Sequence, residues 1–151
     1  MYKCKFFNIT ELVSQQVFYR YGEFAWGFFT SEFKEDLDTI REKYNKPLII
    51  NNWNFKHKGT LQQCGFRSNL EGEVLKRTKN GKLYCSAHCM GKAVDLHSDN
   101  NEELFNLCKN LIENKQLKTM KRLESLKSTR GAWVHIDSFE TPDGNLQIFT
   151  V

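Results

Sequence analysis

An α+β domain built on a small antiparallel β-sheet, with helices packed before and between the strands, is the fold class this chain predicts. Three observations carry that expectation: two stretches of helical apolar periodicity, several short apolar or alternating runs in the second half, and turn-forming residues between those runs. The 151 residues fit one domain, 1–151, large enough to bury a core, and no repeat, low-complexity tract or linker divides them. Hydrophobic residues make up 40% and charged residues 26%, a balance suited to a soluble globular chain, and twelve Phe predict an aromatic-rich interior.

The elements follow in order. Thr10 is placed to cap a short helix from Glu11, whereas residues 18–29 are rich in aromatics without a clear period. Ser31 reads as an N-cap, and Phe33, Leu37, Ile40 and Tyr44 recur at helical spacing, so an amphipathic helix is expected over 32–44. Asn45 suits its end, and Pro47 bars its continuation. Leu48-Ile49-Ile50 then reads as a buried strand, and the polar, Gly-, Lys- and Asn-rich residues 54–82 as a long loop.

Ala93-Val94-Asp95-Leu96 reads as a further strand. Asn100 can cap a second helix whose buried face is Leu104, Phe105, Leu107, Cys108, Leu111 and Ile112, with Lys115 near its end. Strand signals return at 119–123, 132–137 and 146–151, separated by Ser128-Thr129-Arg130-Gly131 and Pro142-Asp143-Gly144, which are turn compositions. Hairpins are therefore expected at the end of the chain.

Charge and cysteine content narrow the partners. The formal charge of +4 is spread along the chain, so no nucleic-acid partner is expected; a mild basic excess suits an anionic cell-wall polymer equally well. The segment Met1–Phe7 has no apolar stretch of signal-peptide length, and no segment is long and apolar enough for a membrane span, so synthesis in a cytoplasm and no membrane partner are expected. Five Cys without a secretion signal predict free thiols, and a monomer is the expected state.

The chemistry lies in two segments, Ser86-Ala87-His88-Cys89-Met90-Gly91-Lys92-Ala93-Val94-Asp95 and Trp133-Val134-His135-Ile136-Asp137. His88 and Asp95 are seven residues apart, which in an unbroken strand would put them on opposite faces, so a turn is needed and Gly91 supplies it. Asp95 and His135 each sit in an apolar strand, and an aspartate there is costly unless ionically paired. Two imidazoles and a carboxylate are a ligand set for a catalytic Zn²⁺ with its fourth position open. Such an ion keeps a net charge near +1 and lowers the pKa of a bound water to about 7, so amide hydrolysis is the natural reaction class. Cys85-x-x-His88-Cys89 lacks the second close ligand pair of a structural zinc site.

Ser86-x-His88-x-x-Gly91-x-Ala93-x-Asp95 followed by Trp133-Val134-His135 resembles the zinc D-alanyl-D-alanine peptidase family, which includes carboxypeptidases, dipeptidases and phage endolysins that cut peptidoglycan peptides. That family belongs with lysostaphin-type peptidases and the hedgehog signalling domain. Pro47-Leu48-Ile49-Ile50 and Gly65-Phe66-Arg67-Ser68 are similar to its strand and its "GYRS" element, so the resemblance spans roughly residues 31–140. It implies a hedgehog-like fold and His88, Asp95 and His135 as zinc ligands. It further implies Arg67 as the cation for substrate or developing oxyanion, Ser86 as a substrate-positioning group, and a peptidoglycan peptide as substrate. Together with the missing signal, it implies a phage-encoded protein released to the wall at lysis.

One position departs from the pattern. Many members carry a Glu or Asp three residues before the last His as general base, and here that residue is Ala132. Glu124 is the candidate substitute, since a hairpin around 125–131 would put it opposite residue 132 or 133; Asp137 and Glu140 stand behind it. A zinc-stabilised wall- or protein-binding module without turnover is the alternative that Ala132 leaves open.

Overall fold

The computed structural model describes residues 2–57 and 59–151 and shows a mixed α+β architecture around one four-stranded sheet. Helices α1 (Ile9–Leu12) and α2 (Gln15–Tyr21), a 3-10 helix Gly22–Phe28 and the long α3 (Ser31–Tyr44) form the first part. Then come α4 (Gly72–Thr78), a 3-10 turn Ala87–Met90, β1 (Ala93–Leu96), α5 (Asn101–Glu113), β2 (Arg122–Glu124), α6 (Leu126–Thr129), β3 (Val134–Asp137) and β4 (Gln147–Phe149).

Both amphipathic helices stand where periodicity puts them. Thr30, not Ser31, caps α3 by accepting from the Phe33 N–H (3.2 Å), and Asn45 ends it in the left-handed region at φ 52°. Asn100 caps α5 through the Glu103 N–H at 3.0 Å. The short α1 starts earlier than Thr10 allows, because Glu11 reaches back to the Asn8 N–H (3.0 Å). The aromatic stretch becomes α2 and its 3-10 extension, with Trp26 and Phe29 joining the core.

The sheet has order β1-β3-β2-β4 and is mixed rather than wholly antiparallel. Both edges of β3 are occupied, by β1 and β2, so the following strand cannot return as a hairpin. It passes to the far edge of β2 and runs parallel to it. Residues 48–50 contribute only a bridge, Ile49 exchanging two hydrogen bonds with His97 (2.9 and 2.8 Å) before Asn51 turns to the Glu11 carbonyl. The expected loop 54–82 contains α4, which buries only Val74 and so leaves no apolar period to read.

One sheet face is core. Val94, Ile136 and Leu123, paired across β1, β3 and β2, are all 0% exposed and cluster with Phe33, Leu37 and Ile40 of α3 and Leu104, Cys108 and Leu111 of α5. Two buried carboxylates on α3 tie distant backbone to this core. Asp38 accepts from the N–H groups of Lys5 and Phe6, and Asp36 from those of Lys118, Thr119 and Met120 and from the Thr119 hydroxyl, at 2.6–3.2 Å. Asp36 thereby fixes the approach to β2, a strand too short to hold itself. D36A leaves these donors without a partner and is expected to lower unfolding stability by about 3 kcal/mol, measured by urea denaturation.

Candidate metal centre

The other sheet face carries the site. Residues opposite one another in a ladder project to the same side. Asp95 pairs with His135, and the β2–β3 register, extended by one residue from Leu123↔Ile136, brings Glu124 opposite His135, with Phe149 beyond it. Asp95, His135, Glu124 and Phe149 thus form one row; Ala93, Asp137, Arg122 and Gln147 form the next.

His88 enters from the 3-10 turn ahead of β1, and two glycines make that turn possible. Gly91 has φ +67°, and a Cβ there would lie 2.0 Å from the Phe28 carbonyl oxygen. A Cβ on Gly65 would lie 2.1 Å from the Leu12 carbonyl oxygen, so only glycine lets this loop press inward. Its own carbonyl then meets His88 Nδ1 at 2.8 Å.

His88, Asp95 and His135 are 3%, 6% and 8% exposed, and three of their atoms converge. His135 Nδ1 lies 2.8 Å from Asp95 Oδ1 and 3.2 Å from His88 Nε2, which is 3.3 Å from the same Asp95 oxygen. A tetrahedral zinc with ligands about 2.0–2.1 Å away holds its donors about 3.3 Å apart, so this triangle has the required size. The outer atoms complete the fit. His88 donates its Nδ1 proton to the Gly65 carbonyl, and His135 Nε2 lies 3.2 Å from Asp137 Oδ2. With His135 neutral and those protons held outward, the Nε2, Oδ1 and Nδ1 lone pairs would be free to converge on one cation. Among the described residues this is the one group of three His, Cys, Asp or Glu side chains so arranged.

The protonation pattern agrees. Burial pushes the His88 imidazole down, with only partial opposition from Asp95. Burial acts the same way on His135, but hydrogen bonds to Asp137 and Asp95 outweigh it and raise its pKa to about 9. Burial would raise Asp95, yet the charges and hydrogen bonds of His88 and His135 hold it well below the ordinary carboxylate range. Metal-free, His135 is therefore an imidazolium between two carboxylates, and a bound metal would take the place of its Nδ1 proton.

A cleft of about 600 Å³ opens over the triad. Arg67, Ser86 and Glu124 all line it. Arg67 is engaged rather than free: its Nη2 donates to Asp95 Oδ2 (2.9 Å) and its Nε to the Gln63 carbonyl (2.6 Å), so it steadies a ligand as well as facing the cleft. Glu124 stands beside His135, not opposite 132 or 133, because the chain inserts α6 between β2 and β3 and the pairing starts closer to the strand ends. Ala132 is exposed and outside the cleft lining. Glu140, 83% exposed at its side chain, pairs with Lys121 away from the site. Asp137 is 0% exposed and bound to Arg122 and His135.

Asp137, expected from the sequence as an alternative to Glu124 as base, instead lies against His135 two residues along the same strand face, whereas Arg122, the walls Phe139 and Phe149, and the Gly65 carbonyl escaped sequence reasoning because they depend on pairing and loop placement. His97 also lines the cleft, 3.4 Å from the Cys64 sulfur, while His57 is exposed. All five cysteines are free thiols, and none belongs to the triad. No protein-family model, no curated protein and no solved structure matches the chain.

G91A combines a positive φ with the Phe28 clash and is expected to destabilise the fold by at least about 2 kcal/mol and weaken metal uptake, measured by thermal denaturation and zinc titration. The raised His135 pKa sets a pH dependence in chelator. Its stabilisation is complete below the ordinary value of 6.5 and is lost as pH rises through about 9, so the melting temperature falls across that window and H135Q flattens the fall.

Proposed function

We propose that this protein is a zinc-dependent peptidase that hydrolyses an amide bond in bacterial peptidoglycan peptides, built on the hedgehog/D-Ala-D-Ala peptidase type of fold. The observation that carries the reading is the triangle of His88 Nε2, Asp95 Oδ1 and His135 Nδ1, 2.8–3.3 Å on a side, at the base of an open cleft with a carboxylate in the same sheet row. The matched positions Ser86, His88, Gly91, Ala93, Asp95, His135 and the Gly65-Phe66-Arg67-Ser68 element support the substrate class.

Bound zinc would supply a Lewis acid that polarises a carbonyl and acidifies a water to a pKa of about 7. The chain does the rest. Glu124, adjacent to His135 and facing the cleft, accepts a proton from the attacking water and passes it to the leaving amine. Arg67 holds Asp95 and presents its remaining N–H groups to a developing oxyanion, while Ser86 offers a hydroxyl to substrate. Leu61, Tyr84, Trp133, Phe139 and Phe149 wall the cleft with apolar surface for an extended peptide. A monomer acting on the wall after release at lysis fits these parts.

Ala132 favours a second reading, a zinc-stabilised binding module without turnover. Purified walls incubated with the zinc-loaded protein separate the two, with soluble muropeptides identified by mass. The first reading expects new amine and carboxyl termini, zinc dependence and no product with H88A. E124Q should bind zinc normally and lose at least about 100-fold in rate. Cleavage by E124Q at the wild-type rate removes Glu124 as the base; wall binding with no new termini at full zinc occupancy selects the module.

A further inference from the structure

Arg122 lies on the second row of the site face, directly opposite Asp137. Its guanidinium carbon is 4.5 Å from the Phe149 ring centroid and 5.2 Å from that of Phe139, so two aromatic faces confine it. From there it reaches one carboxylate: Nε (3.3 Å) and Nη2 (3.1 Å) both donate to Asp137 Oδ2, and Nε lies 3.0 Å from Oδ1. The Phe139 N–H adds a hydrogen bond to Oδ1 (3.0 Å), and His135 Nε2 meets Oδ2 at 3.2 Å. Oδ2 thus takes both guanidinium hydrogen bonds and faces His135 Nε2, Oδ1 takes the Phe139 N–H, and the side chain is shut off from solvent, so both oxygens are engaged by protein.

Asp137 is thus the partner of a ligand rather than a base, and its orientation is set from behind. We propose that Arg122, clamped between Phe139 and Phe149, is a positioning residue for the metal: it fixes the Asp137 carboxylate that holds His135 with Nδ1, not Nε2, turned to the ion. The inference rests on the metal reading of the triad and extends it to a residue outside the three donors. Lysine cannot reproduce it, because an ammonium is a point charge without the two planar N–H donors, Nε and Nη2, that a guanidinium sets side by side on Oδ2.

The test is metal binding itself, read without any substrate. Zinc dissociation constants come from competition with a chromophoric chelator, and the visible spectrum of the cobalt-substituted protein reports ligand geometry. R122M, whose apolar stem still fills the space between the rings, is expected to weaken zinc binding ~10–100-fold and to shift the cobalt bands. R122K should recover only part of the affinity. K92M removes the other cation over the Phe139 ring (5.6 Å) and should change neither readout, separating ring packing from the carboxylate fork. If R122M fails to fold, D137N, which keeps the size of the side chain, should show the same loss. A folded R122M with wild-type zinc affinity and an unaltered cobalt spectrum overturns the role of Arg122 while leaving the metal site standing. Wild-type protein that takes up neither metal removes both.

Discussion

The Asp95 carboxylate sits out of water in a strand whose four residues are all buried, and the structure around it answers the energetic demand of that charge. An unpaired ion in such a place costs several kcal/mol, so each oxygen needs partners. Oδ2 has the Arg67 guanidinium; Oδ1 has His135 Nδ1 and His88 Nε2. Asp137, equally buried, is served by Arg122 in the same manner. Because each carboxylate already has its own guanidinium, a divalent ion bound among the three donors would keep much of its positive charge for polarising a substrate.

The sheet makes that arrangement possible by dividing labour between its faces. Along β1, β3 and β2 the middle row, Val94, Ile136 and Leu123, goes to the core, and the flanking rows bring Asp95, His135, Asp137, Arg122 and Glu124 to the cleft. A slip of one residue would exchange the faces. Register is therefore the structural variable the site depends on most, and it is held partly from outside the sheet. Asp36 on α3 gathers the backbone of residues 118–120 just before β2, and the bonds between Lys121 and Asp137 and between Gln147 and Lys121 extend the pairing at that end.

Much of this was legible in the sequence where a single periodicity or a local motif decides the outcome. The apolar spacing of Phe33, Leu37 and Ile40 and the Asn100 cap locate α3 and α5, and the turn required between His88 and Asp95 falls at Gly91. What escaped was set by non-local competition. The parallel β4 follows from both edges of β3 being taken, which no local pattern encodes. The bridge at Ile49 and the helix α4 lack the length or the apolar stripe that would announce them. Within the site, the triad could be read from residue types and spacing, but the place of Glu124 required the true register. The roles of Asp137 and Arg122 required knowing that the aromatic rings of residues 139 and 149 close around them.

The central claim is that His88, Asp95 and His135 hold a zinc ion in a site of nitrogen and oxygen donors with one position left open. X-ray absorption at the zinc edge of the stoichiometrically loaded protein tests it most directly. The account predicts a shell of about four light donors at ~2.0–2.1 Å, two of them imidazoles by their outer-shell scattering. A sulfur shell at ~2.3 Å would assign the metal to the cysteines beside His88, and six distant oxygens would make it adventitious; either result contradicts the account.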